Sequence, residues 1–197
     1  MSATAPVPQP VIDEFVGVAH GDFPRLQELL AAHPGLLNAD ATWHETALEA
    51  AVQMGRVDMV EYLLAAGAPL DICTAAMLGR RADVAAFLAA DPAAAHATGA
   101  HGIPVLYYPA IANHPAIAED LLARGADVNA GAGGNTPLHG VAMFGQAEMA
   151  AWLLDHGADP AARDSTGKTP LEVALDSNQA AVADLLRAHS PVPGNEV

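Results

Sequence analysis

Apolar residues return along this chain at helical spacing, in short runs that polar turns interrupt. Between positions 138 and 154 they fall at Leu138, Val141 and Ala142, then at Met149, Trp152 and Leu153. Gly145 separates the two sets. Steps of three and four residues place each set on one face of a helix, so the segment predicts two short amphipathic helices joined by a tight turn. Thr136 is placed to cap the first helix. Pro137 follows at its first position, where a missing N–H costs nothing. Gly157 ends the second helix, where a positive φ is needed. Asp159 and the polar stretch 162–167 then predict a turn.

The pattern repeats. Thr136-Pro137-Leu138-His139 returns as Thr169-Pro170-Leu171-Glu172, a step of 33 residues. Gly125-Ala126-Asp127-Val128-Asn129 returns as Gly157-Ala158-Asp159-Pro160-Ala161, a step of 32. Thr46-Ala47-Leu48-Glu49 lies 90 residues before Thr136, and Gly67-Ala68-Pro69-Leu70-Asp71 lies 90 before Gly157. Two landmarks that keep one offset identify an internal repeat.

These residues resemble the ankyrin repeat: Thr-Pro-Leu-His at 136–139, Gly145, Leu153-Leu154 and Gly157-Ala158-Asp159. The resemblance covers roughly residues 11–190. It implies an all-α solenoid of five to six helix-turn-helix repeats with short β-hairpin or loop fingers, in one domain. The units fall near 11–38, 43–69, 70–98, 102–130, 134–162 and 167–190. The first lacks the Thr-Pro-Leu opening and reads as an N-terminal cap. The fourth departs from the family with Tyr107-Tyr108-Pro109 in its first helix. The sixth has Asn178 where the turn glycine normally sits. Gly55 and Gly79 are only 24 residues apart, so the finger between units two and three is expected to be absent or very short. Residues 1–10 and 191–197, rich in Pro and small residues, read as tails.

Composition sharpens this picture. Alanine supplies 45 of the 197 residues, and aromatics only 5%. Such fine-grained side chains suit closely approaching helices rather than a sandwich of β-branched strands. There are 23 acidic and 8 basic side chains, for a net charge of −15. The basic residues stand singly apart from Arg80-Arg81, so the clustered cations that displace counterions from nucleic acid are missing. An anionic membrane surface would repel the chain as well. A partner with basic and apolar features fits better. Cys73 is the one cysteine and cannot close an internal disulfide, which is compatible with a reducing cytoplasm. The opening residues show no signal peptide. The uncharged stretch 92–118 carries four prolines and cannot be a membrane helix. Abundant Ala and Arg with a single Lys168 point to a GC-rich, bacterial source.

No catalytic constellation, cofactor motif or metal-ligand spacing stands out. The nine histidines include no His-Glu-x-x-His pair, and His96 and His101 have no carboxylate framing. His139 matches the family position whose imidazole hydrogen-bonds within the turn. Cys73 reads as a small buried hydrophobe. Gly131–Gly134 lacks the Lys-Ser/Thr ending of a phosphate loop.

The resemblance points instead to partner binding, through fingertips and the exposed end of each first helix. Carried onto this chain, the latter positions are Ala19-His20, Gln53-Met54, Met77-Leu78, Ile111-Ala112, Met143-Phe144 and Asp176-Ser177. Met54, Met77, Leu78, Ile111, Met143 and Phe144 read as an apolar strip on an acidic protein. Two readings fit it: a binding site, or side chains folded back between repeats. Trp43 and His44, in the finger of unit two, read either as an interface anchor or as a clamp on the cap. Trp152 is placed to face the core. The expected function is a non-enzymatic, monomeric protein-interaction module. The rivals are a self-associating structural protein and an enzyme on a repeat scaffold.

Overall fold

The computed structural model describes residues 6–131 and 133–189. The expected tail over 191–197 lies outside these residues, as do positions 1–5 of the expected tail over 1–10. Within the latter, helix α1 already begins at Gln9. The chain divides into two compact units, residues 1–74 and 75–197.

The described residues form twelve α-helices and no strand. They come in six pairs: α1 Gln9–Val18 with α2 Phe23–Ala32, α3 Ala47–Gln53 with α4 Val57–Ala65, α5 Ile72–Met77 with α6 Arg81–Ala90, α7 Tyr107–Ile111 with α8 Pro115–Ala123, α9 Pro137–Phe144 with α10 Ala147–Asp155, and α11 Pro170–Asp176 with α12 Ala180–His189. The fingers between pairs are loops. In the loop before α7 an isolated β-bridge pairs Thr98 with Pro104.

The Thr landmarks act as expected. The Thr46 hydroxyl accepts the Glu49 N–H at 3.3 Å, and the Glu49 carboxylate accepts the Thr46 N–H at 2.9 Å. Thr169 and Glu172 repeat this reciprocal cap at 3.3 and 2.7 Å. Each cap satisfies backbone donors that a helix start otherwise leaves unpaired. Gly145 closes α9 at φ +75°. Asn178 fills the corresponding place at φ +58°, as does Asn113. Asn is the residue that best replaces glycine in this conformation, because its short polar side chain tolerates it.

First helices stack on first helices: α1 meets α3 in the first unit, and α7, α9 and α11 stack in the second. α6 meets α8, and α10 meets α12. A side-chain ladder that the sequence did not reveal reinforces the stack. The residue before α4, α8, α10 and α12 reaches back to a carbonyl at or just past the end of the first helix of the preceding pair. Arg56 donates to the Gly21 carbonyl at 2.9 Å in the first unit. In the second, the His114 ring meets the Met77 carbonyl at 3.2 Å, Gln146 donates to Ile111 at 2.8 Å, and Gln179 donates to Met143 at 3.2 Å. In the second unit the acceptors are carbonyls at helix C-termini, which have no partner within their own helix.

The missing finger is confirmed. α5 begins five residues after Gly67, and the Asp71 carboxylate accepts the Thr74 N–H at 2.7 Å in place of a Thr cap. The connection from α6 to α7 is long by contrast and carries two 3-10 turns, Pro92–His96 and Ala100–Gly102.

Candidate functional site

The first unit builds a polar cluster around Glu45. The turn that carries it is closed by backbone bonds from Ala41 N–H to the Glu45 carbonyl (3.0 Å) and from His44 N–H to the Ala41 carbonyl (2.9 Å). Its base is held by α1: the Asp13 carboxylate accepts the Thr42 N–H at 2.9 Å and the Thr42 hydroxyl at 3.2 Å. The Gln9 amide, with these Thr42 donors, keeps the Asp13 carboxyl below its ordinary pKa. His44, at φ +61°, turns its ring outward, 91% exposed and 3.9 Å from Asp40.

Glu45 points the other way and is only 1% exposed. Its Oε2 accepts the indole N–H of Trp43 at 2.7 Å, and its Oε1 accepts the Gln53 amide at 2.6 Å. The same Gln53 nitrogen lies 3.0 Å from His20 Nε2, which accepts while His20 Nδ1 faces the Gly17 carbonyl at 3.2 Å. A buried carboxylate is tolerated only when donors surround it. Trp43 is one of those donors, so its ring is fixed in place although 40% exposed. The structure thus joins the expected residues Trp43 and Gln53 through a residue that the sequence pattern left unmarked. Nothing in the run Ala-Thr-Trp-His-Glu identifies Glu45 as buried. Met54 caps the end of α3 half-buried.

In the second unit the expected strip breaks up. Met77 is 1% exposed and Ile111 4%, so neither offers its side chain to solvent. Ile111 is covered because α9 comes close at Gly140: a methyl placed there would lie 2.8 Å from Ile111 Cγ2. Met77 ends a six-residue helix that is buried along its whole length. What both residues display is backbone, as acceptors in the ladder. Leu78 and Phe144 are half-buried. Met143 is 41% exposed and Leu175 is 48%. Leu175 went unmarked in the sequence. It stands 33 residues after the buried Ala142, and no helix of the described residues follows α12 to cover the corresponding face.

Other residues fall into structural roles. His139 is 1% exposed: its Nδ1 meets the Thr136 hydroxyl at 2.8 Å and its Nε2 the Lys168 carbonyl at 3.0 Å. Burial lowers its pKa, against the opposing pull of the Lys168 carbonyl, Asp164 and the Ala162 carbonyl. The unfolded chain, with a His near 6.5, therefore takes up the proton first. Stability contributed by neutral His139 is complete above that value and is lost as pH falls below it. Urea unfolding at pH 7.5 and 5.5 is expected to show a smaller pH-dependent loss for His139→Gln than for the parent chain. Cys73 is buried, and burial, with Asp71 and Glu49, pushes its thiol far above the range of a nucleophile. Trp152 departs from expectation: it lies half-buried, stacked on His156 with centroids 3.8 Å apart. His156 sits one turn on, at the α10 terminus, and shields the ring face. Among the described residues no group of three His, Cys, Asp or Glu is placed to hold a metal ion, and no helix is long and apolar enough to cross a membrane.

Comparison with known proteins matches this architecture. A family model described as "Ankyrin repeats (3 copies)" matches residues 106–194, and one described as "Ankyrin repeat" matches 43–75. The chain is 50% identical over 58 residues to Ankyrin repeat and SOCS box protein 11 of Danio rerio, 29% of this chain and 20% of that protein. It is 47% identical over 58 residues to Ankyrin repeat and SOCS box protein 9 of Homo sapiens, with the same shares. It is 41% identical over 76 residues to Putative E3 ubiquitin-protein ligase XBAT34 of Arabidopsis thaliana, 37% of this chain and 20% of that protein. The chain thus spans about a fifth of the length of these relatives. Ankyrin repeats serve in general as protein–protein interaction modules and are typically non-enzymatic scaffolds. With the 33-residue period, the Thr-capped helix pairs and the family matches in agreement, this all-α chain belongs to the ankyrin repeat family.

Proposed function

We propose that this chain is a non-enzymatic, monomeric module that binds a partner protein with basic and apolar features. One observation carries the reading. Large apolar side chains are held in solvent on a scaffold whose backbone ends are tied by caps and ladder bonds. Trp43, Met143 and Leu175 are each 40% exposed or more, on a chain of net charge −15. A scaffold fixed before binding loses little entropy on association. The acidic surface steers a cationic partner and discourages self-association through like-charge repulsion.

The test places a photo-crosslinking residue at position 43 or 143 in the folded protein, mixed with its native lysate. Crosslinks to one other protein, lost from position 43 on His44→Glu or from position 143 on Leu175→Glu, are the expected result. Crosslinks only between copies of this chain, with a solution mass that rises with concentration, would overturn the reading in favour of self-association.

A further inference from the structure

We infer that Trp43 is a docking platform for an arginine side chain of a partner protein. This rests on the interaction-module reading and names the chemistry of one contact.

Three observations converge. The ring is exposed, yet its indole N–H is committed to the buried Glu45 carboxylate at 2.7 Å. Rotating the ring away would strip a donor from a buried anion, so the platform is rigid. An anion accepting the N–H also pushes electron density toward the ring, which strengthens the attraction of its face for a cation. Second, the ring is not already taken up by another ring or a cation among the described residues, whereas Trp152 is covered by the ring of His156.

Third, the unit that carries Trp43 is strongly acidic. Residues 1–74 carry ten carboxylates (Asp13, Glu14, Asp22, Glu28, Asp40, Glu45, Glu49, Asp58, Glu61 and Asp71) and two cations, Arg25 and Arg56. Arg25 is held by Glu14 at 2.7 Å and Glu28 at 3.0 Å. Arg56 is held by Asp58 at 3.0 Å and donates to Gly21. Asp40 stands beside the finger with its side chain 65% exposed. Of the cationic side chains, the planar and weakly hydrated guanidinium is the one that stacks flat on an indole.

The probe is a fluorescein-labelled peptide of four Gly-Arg repeats, with Gly-Lys and Gly-citrulline versions of equal length. Citrulline keeps the planar shape without the charge. Anisotropy reports binding to the full chain. Indole fluorescence in a Trp152→Phe background reports contact at position 43. The Gly-Arg peptide is expected to bind saturably and perturb the indole, the Gly-Lys peptide to bind more weakly, and the Gly-citrulline peptide not to bind. Trp43→Leu should weaken Gly-Arg binding by roughly 3- to 30-fold, the range of a cation on an aromatic face. Trp43→Phe, which keeps a ring, should fall between, with circular dichroism confirming that both variants fold. Equal affinity of Trp43→Leu and the parent, equal binding of the citrulline peptide, or no binding of any peptide would overturn the inference. Crosslinks to a partner from position 143 would in that case leave the module reading standing, so the two fail separately.

Discussion

Leu153→Ala is expected to remove about 2–5 kcal/mol of stability, several times what truncation of an exposed side chain costs. Leu153 is 0% exposed on α10, the helix that packs against both α9 and α12. The substitution deletes three buried carbons and leaves a cavity whose walls belong to well-tied helices. The Leu153 carbonyl accepts the Ala158 N–H at 2.9 Å, a bond the alanine retains, so the loss is one of packing. The matched control is Met143→Ala on the neighbouring helix. With Met143 41% exposed, its truncation should change stability by no more than about 0.5 kcal/mol. Urea unfolding of both variants provides the measurement. Equal losses would mean that Met143 belongs to the core.

Gly140→Val is expected to cost about 3 kcal/mol through overpacking. Gly140 lies inside α9, where glycine is ordinarily unfavourable. Here it allows α9 and α7 to touch. A methyl at this position would lie 2.7 Å from Tyr107 Cδ2 and 2.8 Å from Ile111 Cγ2, inside van der Waals contact. Neither neighbour has room to yield. Tyr107 and Ile111 are each 4% exposed, and the Ile111 carbonyl is pinned by Gln146. Even Gly140→Ala should destabilise, since the clash outweighs a helix-propensity gain of about 1 kcal/mol. Gly17→Ala shows the opposite balance. Gly17 lies in α1 with open space at its Cβ position, so the same change there should stabilise by about 0.5–1 kcal/mol. Thermal melts of the two alanine variants should therefore move in opposite directions. A stabilised Gly140→Ala would show that α7 and α9 have slack between them.

The 33-residue period was legible because the chemistry behind it is local. Thr46, Thr136 and Thr169 cap the residues three positions on, and the turn residues Gly145 and Asn178 adopt the positive φ their positions imply. The same local reasoning identified the missing finger after Gly67. It failed at Met77 and Ile111. Position within a repeat says where a side chain begins, and the approach of the next helix decides whether it is covered. It failed at Trp152 for a related reason: helical phase pointed the ring inward, while stacking on His156 was available at the surface.

What the sequence by itself determined is therefore the set of interactions within about four residues: helix pairs, caps, turn residues and their repetition. From these follow the family and the all-α architecture. What only the tertiary structure decided is which side chains find partners some thirty residues away. The ladder from Gln146 to Ile111 and the bond between Gln53 and His20 span 35 and 33 residues. Such contacts depend on how closely neighbouring helices settle, and that distance is set by side-chain volumes on both helices at once. A single position carries no record of the volume opposite it. For that reason the buried Glu45, and the fixed, exposed ring of Trp43 that it holds, became visible only in three dimensions.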